Sequence, residues 1–281
     1  MYLNYWNLNE TPFQNAPNRR FAYYSEQHRE GLARLVYLVQ NRKLGGVMAG
    51  PYGSGKSMIL ELLDQEVRDK TEALFLKVDA SLGGPLPLAR QILRKLSADD
   101  EVGDVSEALQ MIEDHCSADR AKFSHVALAI DEAQFLRNPE TIEFLHLLTN
   151  VRTLNRDGSY GENAVTLILS GHIDVINYVL NDMSLRQRLQ LVWKLSPLTL
   201  QQTMEYVQYR IRTAGGDIWM FGEDVFPPLH AASKGLPRMI NNICDLALVL
   251  GCAAKSSNVS LELMNQAIDE LNFEQDEGRE V

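Results

Sequence analysis

The sequence is short of cysteine, of positive charge and of long apolar runs, and each shortage excludes a class of protein. Three cysteines in 281 residues, Cys116, Cys244 and Cys252, form an odd set without metal-ligand spacing. They exclude a disulfide scaffold and suit a reducing compartment, so a cytoplasmic location is expected. No stretch reaches the roughly 18 consecutive apolar residues of a membrane-spanning helix. The opening Met1-Tyr-Leu-Asn-Tyr-Trp6 has neither a basic n-region nor an apolar h-region and does not read as a signal peptide. Lysine and arginine number 27 against 37 aspartates and glutamates, a formal net charge of −10. That balance disfavours strong non-specific binding to nucleic acid but leaves room for a local basic patch. The three tryptophans, Trp6, Trp193 and Trp219, show no pattern of base-stacking platforms. Internal repeats and low-complexity segments are lacking too.

What is present is an ordinary globular composition, 45% hydrophobic and 23% charged, and one dense motif. Gly50-Pro51-Tyr52-Gly53-Ser54-Gly55-Lys56-Ser57 fits G-x-x-x-x-G-K-[ST] in full. An apolar segment precedes it, and a helical pattern from Met58 follows it, which is the strand–loop–helix context a phosphate-binding loop requires. Gly50, Gly53 and Gly55 let the backbone curl so that successive N–H groups face phosphate oxygens. A helix opening near Lys56 adds its positive dipole end. Lys56 is expected on the β- and γ-phosphates and Ser57 on Mg2+, with Pro51, Tyr52, Ser54 and Met58 lining the nucleotide.

Patterning predicts strands over 44–49, 73–78, 125–130, 165–169 and 191–195. Helices are expected over 26–40, 57–68, 86–96, 105–116, 141–154, 175–180 and 184–190. Residues 155–161 read as a turn-rich loop. From residue 199 only helices appear, over 200–213, 223–233, 237–253 and 260–271. Alternating strands and helices imply an α/β fold with a parallel sheet flanked by helices, followed by an all-helical domain. The expected organisation is an irregular arm over 1–20, a nucleotide-binding domain over 21–197, a helical lid over 198–271 and a frayed acidic tail over 272–281.

A second signal is Ile130-Asp131-Glu132, two carboxylates at the end of an apolar strand. Asp131 is expected to hold Mg2+ through its water shell, and Glu132 to orient and polarise the attacking water. Gln134 adds a polar contact. After the next apolar strand comes Ser170-Gly-His172, where Ser170 and His172 compete to position that water, ahead of the mid-strand Thr166. Arg188, with Arg186 second, lies where an arginine could reach a neighbouring subunit's γ-phosphate. Gly235-Leu-Pro-Arg238 opens a helix with proline in its first turn, and Arg238 is expected at the nucleotide. Arg152 and Arg156 flank a loop that could touch nucleic acid or peptide, although a solvated loop is the simpler reading.

Gly50–Ser57, Ile130-Asp-Glu-Ala-Gln134, Leu185-Arg-Gln-Arg-Leu189 and Gly235-Leu-Pro-Arg-Met-Ile-Asn241 occur in that order. With Met1-Tyr-Leu-Asn-Tyr-Trp-Asn-Leu8, Thr11-Pro-Phe13 and Phe21–Glu30, they resemble the AAA+ ATPases of the ExeA (general secretion pathway protein A) type over nearly the whole chain. The wider group includes the TnsC/MuB-like transposition ATPases. The resemblance implies a P-loop AAA+ core with a helical lid, ATP and Mg2+ as ligands, ATP hydrolysis, and self-association into a ring or filament with ATP. It implies envelope or secretion-system partners, in an export or pilus machinery, with target selection on duplex DNA as the alternative. Proteins of the ExeA type continue into a membrane span and a peptidoglycan-binding domain, and neither follows the lid pattern here. Where such proteins commonly read Gly-Gln after the strand that corresponds to 165–169, this chain has Gly171-His172.

Overall fold

The computed structural model describes residues 2–80, 83–96, 102–116, 123, 125–154, 157 and 159–277. Its strands are β1 (Gly45–Ala49), β2 (Leu74–Asp79), β3 (Val126–Asp131), β4 (Arg152–Leu154), β5 (Tyr160–Asn163), β6 (Val165–Gly171) and β7 (Leu191–Lys194). Five of them form one parallel sheet in the order β2-β3-β6-β1-β7. By contact the chain divides into two compact units. One comprises Glu26–Gly50 and Lys56–Leu195; the other comprises Met1–Ser25, Pro51–Gly55 and Ser196–Val281.

In the first unit β1, β3 and β6 are buried along their whole length, as strands covered on both faces must be. Alternation sorts their side chains between two cores. Val126, Leu128 and Ile130 of β3 join Val165, Leu167 and Leu169 of β6 and Val47 of β1 on one face. Ala127 and Ala129 face the opposite way, against Ile59, Leu60, Leu63 and Val67 of the helix Lys56–Lys70. Small alanines there let this helix lie close on the central strands, which fixes where its first residues, Lys56 and Ser57, begin. The register aligns Ala49 of β1 with Gly171 of β6, so the chain leaves both strands at the same edge. Asp79 and Asp131 are likewise opposite one another at the ends of β2 and β3. Such an edge of parallel strands is where open α/β sheets present ligand sites.

One stretch departs from the helix expected over 141–154. The helix runs Pro139–Leu148, and the chain then enters an antiparallel pairing of β4 with β5, Arg152 opposite Asn163 and Leu154 opposite Tyr160. The apolar spacing of Leu147, Leu148, Val151 and Leu154 suits a helix. However, Val151 and Thr153 are β-branched, and Val151 O accepts a hydrogen bond from Ala164 N at 3.1 Å, so pairing wins over helix propagation. The last helix spans Leu261–Glu277, longer than the 260–271 expected.

The second unit is built from the helices Leu200–Thr213, Phe226–Ser233, Pro237–Ala253 and Leu261–Glu277. Thr199 and Gln202 cap the first of them reciprocally, satisfying two orphan donors of its opening turn. The amino-terminal segment is an integral part of this unit. Trp6, Leu8, Phe13 and Phe21 are buried among Tyr206, Val207, Ile211, Phe221 and Leu248. Trp6 Nε1 donates to Leu248 O at 2.9 Å, and the Tyr2 hydroxyl donates to Asp245 at 2.6 Å. Among the described residues, no helix is long and apolar enough to cross a membrane.

Candidate nucleotide site

The loop after β1 carries the conformations its glycines allow. Gly53 and Gly55 have φ of +75° and +99°, values that side chains with a Cβ rarely adopt. Ser54 is buried, its hydroxyl donating to Pro51 O at 2.8 Å, and Tyr52 is exposed. Within the helical unit, Arg238 N donates to Gly53 O at 3.3 Å. A Cβ at Gly53 would lie 2.7 Å from the Arg238 Cβ. The first turn of the helix Pro237–Ala253 thus abuts the glycine loop at Gly53, and Arg238 is exposed.

In the sheet unit, Gly50 N donates to Gly171 O at 3.1 Å, which ties the start of the loop to the end of β6. Lys56 is buried, and its ammonium donates to Gly50 O at 2.9 Å. Met58 is half-buried in the same helix. Ser57 Oγ donates to Asp131 Oδ2 at 3.1 Å. The other carboxylate oxygen of Asp131 accepts from Ser170 Oγ at 2.9 Å and from Glu132 N at 3.1 Å. Asp131 and Ser170 are both buried, in β3 and β6 respectively.

Glu132 is half-buried and sits in the left-handed region, with φ 53° and ψ 36°. This conformation is uncommon for a residue with a long side chain and is characteristic of sites held by their surroundings. The holder is Gln134. Its Nε2 donates to Glu132 Oε2 at 2.5 Å, and its Oε1 accepts from His172 N at 2.9 Å. Glycine at 171 makes room for this bridge, since a Cβ there would lie 2.5 Å from Gln134 Oε1 and 3.0 Å from Ala133 N.

Of the three candidates beyond β3, Ser170 touches the carboxylate, whereas the His172 ring pairs with Asp174 at 2.9 Å. Thr166 donates to Lys43 O and meets His125 Nε2 at 3.0 Å, a structural position. Arg186 is exposed and Arg188 half-buried. Arg152 donates to Asn163 Oδ1 at 2.6 Å within the β4–β5 pair, and Arg156 lies outside the described residues.

One cation of the site escaped the sequence reading. Lys77 Nζ lies 3.2 Å from Asp131 Oδ2. The available signal was a lone lysine inside the apolar run of β2, but its partner depends on strand order.

The donor set fits a divalent ion of the Mg2+ type: hard oxygens from one carboxylate and one hydroxyl, as such ions take alongside phosphate and water. Among the described residues, no group of three His, Cys, Asp or Glu side chains could hold a metal by itself. Phosphate oxygens would therefore have to complete the shell.

A family model described as an AAA domain matches residues 40–179. General secretion pathway protein A of Aeromonas hydrophila is 30% identical over 280 residues, covering 99% of this chain and 50% of that protein. The chain spans about half the length of that curated relative. Among solved structures, the Aeropyrum pernix ORC2 protein in ADPNP–ADP complexes superposes with a TM-score of 0.68 at 15% identity, over 90% of this chain and 71% of that one. Drosophila ORC bound to DNA gives 0.68 at 17% identity, over 94% and 64%. The Thermotoga maritima RuvB Holliday junction branch migration motor gives 0.56 at 14%, over 89% and 70%. At such identities these likenesses establish a shared fold.

Proposed function

We propose, from the premise that this chain belongs to the AAA+ ATPases of the general secretion pathway protein A type, that it binds ATP with Mg2+ and hydrolyses it at Lys56, Ser57, Asp131 and Glu132. The observation carrying this reading is the convergence on Asp131: the Ser57 and Ser170 hydroxyls and the Glu132 amide all donate to one buried carboxylate. Lys56 and the loop amides bind the phosphates, and Arg238, beside Gly53, adds a charge at the same loop. Ser57 and Asp131 would hold Mg2+, which when bound neutralises developing charge on the phosphates. Glu132, steadied by Gln134, orients the attacking water and takes its proton. Ser170 keeps the Asp131 carboxylate aligned. Arg188, or Arg186, acts on the nucleotide of a neighbouring copy in an ATP-dependent ring or filament.

The work driven by this cycle is assigned to a cytoplasmic ATPase serving an envelope machinery, with secretion-system proteins as partners. Support comes from the secretion name of the Aeromonas relative and from the amino-terminal resemblance. A duplex-DNA role has less behind it: Arg152 is engaged by Asn163, and the chain carries a net charge of −10.

The test is phosphate release and fluorescent-ATP binding by three forms. Wild type should do both, and Lys56→Ala should do neither. Glu132→Gln should bind ATP while losing turnover by a factor of about 100 or more. Full turnover in Glu132→Gln would remove Glu132 from its role, and unchanged ATP affinity in Lys56→Ala would remove the site itself. Adding duplex DNA to the same assay checks the other role, which a strong ATP-dependent association would restore.

A further inference from the structure

Lys77 stands out because it is a cation placed on the carboxylate that a metal ion would use. Its Nζ is 3.2 Å from Asp131 Oδ2, the oxygen that also accepts the Ser57 hydroxyl at 3.1 Å. The parallel register explains how it gets there. Lys77 is opposite Ala129, and Asp79 is opposite Asp131, so Lys77 reaches Asp131 diagonally, two residues along the same face. Asp79 and Asp131 as direct neighbours are a like-charge pair, unfavourable across strands unless a cation lies near. The Asp131 side chain is only 6% exposed, while that of Lys77 is 28% exposed. A carboxylate so deeply buried needs a counter-charge whenever no metal is bound.

We propose that Lys77 is the resident counter-ion of Asp131 and competes with Mg2+ for it, so that this residue sets the Mg2+ concentration at which nucleotide is bound tightly. The inference rests on the Mg-nucleotide reading of the site. With Lys77 in place, a metal drawn to Asp131 and Ser57 meets an ammonium already sharing the same oxygen, and part of its attraction goes into displacing it. Without Lys77 the empty site holds an uncompensated buried charge, which weakens the free protein and favours the metal-bound form. Lys77 is therefore a positioning and tuning residue that acts on Asp131 and need not touch the nucleotide.

The experiment titrates Mg2+ into the full chain with N-methylanthraniloyl-ATP, following fluorescence, for wild type, Lys77→Met and Lys77→Arg. Melting temperatures in EDTA accompany it. Half-saturating Mg2+ should fall about two- to fivefold in Lys77→Met, the size expected of a partly exposed ion pair. Its melting temperature without metal should fall too, and Lys77→Arg should stay near wild type. An unchanged or higher Mg2+ requirement in Lys77→Met overturns the proposal. Should that variant not fold, Lys77→Gln is read the same way. Failure of wild type to bind the analogue at any Mg2+ would bring down the nucleotide reading as well. Normal wild-type binding with no shift in the variant brings down only the role of Lys77.

Discussion

Gln134 joins Glu132 to the end of β6: its amide nitrogen donates to Glu132 Oε2 at 2.5 Å, and its amide oxygen accepts from His172 N at 2.9 Å. In the role proposed for Glu132, a carboxylate that must aim at one water is thus fixed at its tip by a side chain anchored to the backbone at the end of β6. Misplacement of a reacting group by an ångström can cost a large factor in rate. Gln134→Ala should therefore lower turnover by roughly tenfold while leaving ATP affinity where it was. Single-turnover phosphate release, paired with equilibrium nucleotide binding, separates the two. A variant that loses affinity and keeps its rate would assign Gln134 to structure instead.

His125 gives the fold a pH dependence of known sign. Its ring is buried, with Nδ1 3.1 Å from Asn163 O and Nε2 3.0 Å from the Thr166 hydroxyl. Burial, with the nearby Arg42 charge as a second cause, pushes its pKa from 6.5 down to about 4. The folded state holds His125 neutral while the unfolded chain takes up a proton below 6.5, so stability rises with pH across that window. The contribution is complete above about pH 6.5 and lost as pH falls toward 4; at full size it is on the order of 3 kcal/mol. Urea unfolding between pH 7 and 4 should show this loss. In His125→Gln, which has no proton to gain, the profile should be flatter over the same range, whatever its absolute stability. Parallel profiles would place the acid sensitivity elsewhere.

Which parts of this were legible in the sequence follows from the range of the interactions. The loop from Gly50 to Ser57 and the Asp131–Glu132 end of β3 are local patterns, written in consecutive residues. The continuous apolar runs that form β1, β3 and β6 are local as well, and their alternation with helical patterns gives the α/β class directly. Lys77 was invisible because its contact needs the β2–β3 adjacency and its register, which no local pattern encodes. The β4–β5 pair was hidden by apolar spacing that serves a helix equally well. The amino-terminal segment read as an irregular arm because its partners, such as Leu248 for Trp6 and Asp245 for Tyr2, lie more than 240 positions away.

Arg210 is the residue that binds this segment to its unit. It is buried, and its guanidinium donates to Pro12 O at 2.5 Å, to Gln14 O at 2.9 Å and to the Tyr206 hydroxyl at 2.8 Å. It also lies over the Phe21 and Tyr206 rings, 5.1 and 5.5 Å from their centroids. Arg210→Met keeps the stem but strands the Pro12 carbonyl and leaves Gln14 O only the longer bond from Asn241 Nδ2 at 3.5 Å, and a lost partner for a buried acceptor costs about 1–3 kcal/mol. A destabilisation of roughly 2–4 kcal/mol in urea follows, together with early proteolytic cleavage within residues 1–25. A variant as stable and as protease-resistant as wild type would show that apolar packing by Trp6, Phe13 and Phe21 suffices.

Arg188 and Arg186 make the final prediction, because their role depends on a second molecule. Neither guanidinium has a hydrogen-bond or ion-pair partner among the described residues; Arg186 ends the short helix Met183–Arg186, and Arg188 lies in the turn that follows it, before β7. An arginine supplied in trans contributes roughly 10³-fold or more to phosphoryl transfer. ATPase rate per molecule should thus climb with protein concentration and flatten once assembly is complete. Mixing sharpens the test. Arg188→Ala retains an intact Glu132, and Glu132→Gln retains both arginines, so each is nearly inactive alone while their mixture places an intact arginine beside an intact Glu132 at some sites. Recovered turnover in the mixture identifies Arg188 as the residue in trans. No recovery with Arg188→Ala, but recovery with Arg186→Ala, transfers the role to Arg186. A per-molecule rate independent of concentration, with no recovery in either mixture, would mean that each chain hydrolyses ATP without its neighbour.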